Sequence, residues 1–155
     1  MSGESNPADA AKLVLVVRRT IEADARRLFE AWTQPEHLRS WWGPKSVRCS
    51  EAEVDLRVGG QYRIVNELPD GTQIVIGGAF TAVEAPRRLV YTWRVTPGDG
   101  EPELVTVSFD PLDDATTEVV VTHERIPSAR LRDSHQTGWD GCFDGLAAYV
   151  EGSAR

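Results

Sequence analysis

At 155 residues with a net charge of -7, the chain is read as one acidic domain. Its arginines and lysines are scattered and form no stripe that follows a phosphate backbone, which argues against nucleic acid and against an anionic membrane surface. The 41% hydrophobic and 26% charged fractions are those of a soluble protein that buries a core without disulfide staples.

Residues 1–11 are small and polar and are read as a disordered tail. They have neither the basic nor the apolar region of a signal peptide, and no apolar run approaches the ~20 residues of a bilayer span. A single domain is expected over 12–151, with a short tail at 152–155. Cys49 and Cys142 lie far apart and outside any metal-type spacing, so the chain is expected to be cytoplasmic with both thiols reduced.

"KLVLVVRRTIE" is β-branched and predicts a strand. "DARRLFEAWT" follows as a short helix, with Asp24 as N-cap and Leu28, Phe29, Ala31 and Trp32 as its apolar face. Pro35 opens a second short helix, "PEHLRSWW", and Gly43-Pro44 ends it. From 46 to 125 the signals are strand and turn. The strands are "SVRCSEAEVDLRV", "GQYRIVNEL", "TQIVIGGAF", "RLVYTWRV", "ELVTVSFDPL" and "TTEVVVTHERI". The period then changes: Leu131, His135, Trp139, Cys142, Leu146 and Val150 recur at three or four residues and predict one long C-terminal helix. Gly138, Gly141 and Gly145 interrupt it, at a cost of ~1 kcal/mol each relative to alanine. Such a cost points to close approach by the sheet or a ligand.

These elements predict an α+β fold: a curved seven-stranded antiparallel sheet around a long C-terminal helix, with two short helices between strands 1 and 2. The space between a curved sheet and one helix is a natural ligand cavity. "RTIEA", "LFEAWTQPEHLRSWWGP", "DLRVGGQYRI", "GGAFTAVEAPRRLVYTW" and "HQTGWDGCFDGLAAYV", in this order and spacing, resemble the SRPBCC helix-grip superfamily of START lipid-transfer domains, Bet v allergens and polyketide cyclases. The chain looks like the branch named after the activator of the heat-shock protein 90 ATPase. Asp24 departs from the proline usual there, which alters the helix start and not the cavity. The resemblance implies the helix-grip fold. It leaves function to the site, because members bind lipids, cyclise polyketides, hydrolyse small molecules or assist chaperones.

Alternation along the strands turns Tyr62 and Ile64, Ile74, Ile76 and Phe80, Leu89, Tyr91 and Trp93, Val105, Val107 and Phe109, and Val119, Val121 and His123 inward. Most of these are ordinary core. The residues expected to touch a ligand are Trp41, Trp42, Tyr62, Ile76, Tyr91, Trp93, Phe109, His135, Trp139 and Phe143, the tyrosines and tryptophans offering a polar handle on an apolar body. Of the Trp41-Trp42 pair, one ring is expected inward and the other near the surface. His123 and His135 are the candidate acid–base residues, although an inward histidine is more often a hydrogen-bonded core residue. His37 is expected to be solvated. Asp55 and Arg57 are read as an ion pair on one strand face beside the Gly59-Gly60 turn.

No nucleophile elbow, phosphate loop, zinc-protease helix or paired-cysteine motif is present, and neither a metal nor a cofactor is expected. The function expected is binding of a small hydrophobic or amphipathic ligand between sheet and helix. The alternatives are a cyclase- or hydrolase-like enzyme using the same cavity and a chaperone ATPase-activating partner. The last is suggested by the family name alone, and the eukaryotic activators carry a further domain. Homodimer formation is compatible with the fold, but no residue in the sequence defines an interface.

Overall fold

The computed structural model describes residues 13–43, 46–96 and 101–153, with 152 and 153 described by backbone alone. The expected N-terminal tail, Pro44 of the second helix stop and residues 97–100 of the loop before "ELVTVSFDPL" lie outside them, as do the last two residues of the expected C-terminal tail.

Strand β1 (Leu13–Ile21) leads into helices α1 (Ala25–Thr33) and α2 (Pro35–Trp41). Strands β2 (Arg48–Val54), β3 (Gln61–Glu67), β4 (Gln73–Glu84), β5 (Arg88–Thr96), β6 (Glu103–Asp113) and β7 (Thr116–Ile126) follow, and helix α3 (Ala129–Ser153) ends the order. The strands form one antiparallel sheet in the order β1-β7-β6-β5-β4-β3-β2. β2 to β7 are thus a meander, and β1 returns to close its far edge against β7. The expected fold is the observed one.

Local chemistry sets the helix boundaries. The Asp24 carboxylate accepts from the Arg27 backbone N–H at 2.7 Å, satisfying one of the unpaired donors of the first turn of α1. Pro35 occupies the first turn of α2, where its missing N–H costs nothing. Two expectations shift. β4 runs on past Phe80 to Glu84. Asp55 and Arg57 do pair, at 3.0 Å, but beyond the end of β2 on an exposed turn. The chain leaves the strand there to reach Gly59, whose φ of +86° ends the extended run.

The core lies between the concave face of the sheet and the three helices. From the sheet come Ile64, Phe80, Leu89, Val105, Val107, Phe109, Val119 and Val121, all buried; Ile74 of the predicted inward set is half-buried. From α3 come Trp139, Cys142, Phe143, Leu146 and Val150. One glycine permits this packing. A Cβ on Gly145 would sit 2.6 Å from the Trp41 carbonyl oxygen, so α3 touches the end of α2 with no room for a methyl group. No helix among the described residues is long and apolar enough to cross a membrane.

Candidate functional site

The two adjacent tryptophans are both buried, at 3% and 5% exposure, so the expectation that one lies near the surface is corrected. The reason is a helix end. Trp41 is the last residue of α2, and Trp42 caps it in extended conformation (φ -67°, ψ 138°). Without the helical step between them, both side chains turn inward. Trp41 donates its indole N–H to the Ala31 carbonyl at 2.8 Å and serves as packing. Trp42 instead reaches the space beneath α3.

That space is a cavity of about 100 Å³ between the sheet and α3. Its aromatic wall is Trp42, Trp93 and Trp139, with ring centroids 5.4 to 6.3 Å apart. Asn66 and Ile76 contribute from the sheet, and His135, Gly138 and Cys142 from the helix. At Gly138 a Cβ would meet nothing within 4 Å. This interruption of the helix opens on the cavity, whereas Gly145 serves contact. A second space of about 20 Å³ lies nearer the short helices, walled by Trp32, Tyr62, Phe80 and Tyr91. Trp42 and Trp93 belong to both walls.

Of the residues picked from the sequence, Trp42, Ile76, Trp93, His135 and Trp139 line the larger space and Tyr62 and Tyr91 the smaller. Trp41, Phe109 and Phe143 line neither, and are packed in the core. Trp32 was assigned only to the apolar face of its helix. It stands at the centre of the aromatic group, stacked on Trp139 at 6.0 Å, with its N–H donated to the Tyr91 hydroxyl at 3.3 Å. His37 is half-buried rather than solvated, its Nδ1 hydrogen-bonded to the Tyr149 hydroxyl of α3.

The two candidate histidines meet over a residue the sequence reading missed. Glu103, at the start of β6, holds His123 Nε2 at 2.7 Å and His135 Nε2 at 2.8 Å on the same oxygen, Oε1. The imidazoles stack at 4.2 Å and 18°. Trp139 donates its indole N–H to His123 Nδ1 at 3.1 Å. An indole N–H can only donate. His123 Nδ1 must therefore be bare, and the ring is the neutral tautomer with its proton on Nε2, facing Glu103. Burial pushes the His123 pKa below its ordinary value, with His135 adding to this and Glu103 opposing it. Burial alone would raise the Glu103 carboxyl, but hydrogen bonds from both histidines outweigh it and hold the group ionised below its usual range. The signal for Glu103 was available: it continues the inward alternation of Val105, Val107 and Phe109, as Asn66 continues that of Tyr62 and Ile64.

The ligating atoms of Glu103, His123 and His135 lie within 4.8 Å of one another, a spacing that could hold a cation. The tautomer opposes it. A metal-bound histidine normally donates its second N–H to an acceptor. Here the second nitrogen of His123 faces a donor, so a metal on Nε2 would break the Trp139 bond or strip the ring of both protons. The arrangement suits proton holding better. His135 lines the cavity, its Nε2 engaged by Glu103, while its Nδ1 has no hydrogen-bond partner among the described residues. Of the two histidines, only His135 has a nitrogen available to an occupant. Cys142 also lines the cavity, but burial pushes its thiol up to about 12, far from the thiolate a nucleophile needs.

Trp93 and Asn66, two residues of that wall, each bury a polar side-chain atom, the indole Nε1 and Oδ1, with no hydrogen-bond partner among the described residues. Buried polar groups are hydrogen-bonded in the great majority of cases.

Comparison with known proteins agrees with this architecture. Protein CV1439 from Chromobacterium violaceum is 27% identical, with a TM-score of 0.81 over 89% of this chain and 96% of that one. An AHSA1-like protein from Aeromonas hydrophila is 26% identical, with a TM-score of 0.76 over 92% and 94%. The AHSA1 protein from Silicibacter pomeroyi, 21% identical, shares the fold with a TM-score of 0.80 over 90% and 98%. No curated protein matches the chain. The model of the family described as Activator of Hsp90 ATPase homolog 1-like protein matches residues 22–151, from the end of β1 nearly to the end of α3. The chain belongs to that family, a branch of the SRPBCC helix-grip superfamily.

Proposed function

We propose that the protein binds a small amphipathic molecule between the sheet and α3. The observation that carries this is the cavity of about 100 Å³ with three tryptophans in its wall. Its size is of the order of the ~150 Å³ engineered cavity that admits benzene. Burial of the ligand's apolar area against the indoles supplies most of the affinity, at ~25 cal/mol per Å² before the costs of association. Native mass spectrometry of gently purified protein tests it. A discrete added mass of small-molecule size is expected, and it should be absent from Gly138→Leu, which places a side chain in the cavity. Absence of any adduct, together with no saturable binding across a panel of small lipophiles, would overturn the proposal.

A second reading is favoured by one observation: His135 lines the cavity with one nitrogen held by buried Glu103 and the other without a partner among the described residues. That is the arrangement of an oriented general base. On this reading an enzyme uses the same cavity, and His135→Gln removes turnover of a bound substrate while leaving its binding within a few-fold. A bound ligand that emerges chemically unchanged argues for the first reading alone.

A further inference from the structure

The face of the sheet turned away from α3 carries a groove of about 480 Å³. Its floor is β4, where Gly77 and Ala79 offer almost no side chain. One wall is β3, with Gln61 and Arg63, and the other is β5, with Thr92 and Arg94. The register sets a row across four strands. Glu53 of β2 lies opposite Arg63 of β3, Arg63 opposite Gly77 of β4, and Gly77 opposite Arg94 of β5. Arg63 is held by Glu51 at 3.1 Å. Glu53 and Arg94, at the two ends of the row, are exposed and form no ion pair among the described residues. Neighbouring strands lie ~4.8 Å apart, so the Cα atoms of these two are separated by about 14 Å, and Arg63 stands between them.

Turned end for end, the row is its own complement. A two-fold axis that runs along the strands, between β3 and β4 and in the plane of contact, performs this reversal. Glu53 of each copy then faces Arg94 of the other, and Arg63 of each stands over the slot at Gly77 of the other. Gln61, opposite Ala79 in the register, repeats the same match of a long side chain over a short one. Self-complementarity of this kind is what an isologous interface requires. Sheets also pack face to face with their strands nearly aligned, ~10 Å apart. Charge selects the face as well. Each copy carries a net charge of -7, which opposes association over most of the surface. Here Arg63 and Arg94 stand beside Glu51 and Glu53, so the contact itself is neutral. The two Arg63 side chains come side by side across the axis, and each brings its own Glu51.

We propose that the outer face of β2 to β5 is an interface with a second copy of this chain, in which Glu53 of each protomer pairs with Arg94 of its partner. The cavity beneath α3 lies on the opposite face of the sheet and stays open to its ligand in the pair.

Sedimentation velocity on the full chain over a range of concentrations tests it. The wild type is expected to approach twice the 17.1 kDa of one chain as concentration rises. The axis repeats every contact, so Glu53→Arg places two like-charged pairs in the interface, and Arg94→Glu does the same. Each reversal is expected to weaken the dimer at least about tenfold. The double variant restores opposite charges and should return to within a few-fold of the wild type. Both positions are exposed, and recovery in the double variant shows that neither reversal acts by unfolding the chain. A wild type that stays monomeric at millimolar concentration overturns the proposal. A dimer that neither single reversal weakens also overturns it, because the contact then lies on another face. A double variant as weak as the single ones overturns the pairing of Glu53 with Arg94.

Discussion

Trp139 donates its indole N–H to Nδ1 of His123 at 3.1 Å, and by doing so decides where the histidine keeps its proton. His123 is fully buried, and protonating it would place two N–H donors face to face. Trp139→Phe removes that constraint while keeping a ring in the core. The His123 imidazolium then becomes accessible in the folded state, and its pKa rises relative to the wild type. Nitrogen-edge NMR of the histidine ring should show the neutral tautomer with its proton on Nε2 in the wild type and a doubly protonated ring at mildly acid pH in the variant. The variant should also lose about 1–3 kcal/mol of stability, the cost of leaving Nδ1 unsatisfied. An unchanged titration in Trp139→Phe would mean that the indole does not set the tautomer.

The same network makes stability depend on pH, with a definite sign. Burial lowers the folded pKa of His123 below the ordinary 6.5, so below that pH the unfolded chain binds more protons than the folded one. Stability contributed by His123 is therefore full above about pH 6.5 and declines as the pH falls through and below it. Glu103 acts in a lower window. Its folded pKa is depressed from 4.5, so its contribution is present above that value and lost as the pH falls through the folded pKa. Both groups thus destabilise in the same direction on acidification, but in succession. Urea unfolding measured across this range should show the upper decline in the wild type and not in His123→Gln. A stability profile that rises on acidification from neutral pH would contradict the neutral, buried His123.

The fold was legible because its signals are periodic. Alternation in "RLVYTWRV" and "TTEVVVTHERI", the turn glycines and the change to helical spacing after Ala129 are local properties, and each appears in the structure where the pattern puts it. The site was legible only in part. His123 and His135 were picked out, but the group that joins them was not, although Glu103 sits on the inward parity of β6. An acidic residue in an apolar alternation reads as a strand end until its partners are known, and these come from β7 and α3. The burial of both Trp41 and Trp42 could not be read from spacing either, because it depends on where the last helical turn stops. The unpaired Trp93 N–H is least legible of all, since it is defined by which neighbours fail to reach it.

Cysteine chemistry follows from burial. Cys49 and Cys142 are both free and both buried. Burial raises the two thiols, Cys142 to about 12. Alkylation at neutral pH should be slow in the native protein and rapid once it is unfolded, because the thiolate is the reactive species. Intact mass after timed iodoacetamide treatment reads this directly. Fast native labelling of Cys142 would show that α3 opens from the sheet.

Two glycines in α3 should respond in opposite ways to the same substitution. Both gain helix propensity on change to alanine, worth up to ~1 kcal/mol. At Gly138 the new methyl meets nothing within 4 Å, so Gly138→Ala should stabilise by about that amount. At Gly145 the methyl would lie 2.6 Å from the Trp41 carbonyl oxygen, a backbone atom that cannot rotate aside. The strain of overpacking, typically ~1–3 kcal/mol, exceeds the propensity gain, so Gly145→Ala should destabilise. It should also push the end of α2, and Trp42 with it, away from the cavity, reducing ligand affinity, whereas Gly138→Ala leaves Trp42 in place. Denaturation midpoints for the two variants separate these outcomes. Equal midpoints would mean that α3 does not rest against Trp41 in solution, and that the wall Trp42 provides is looser than the geometry requires.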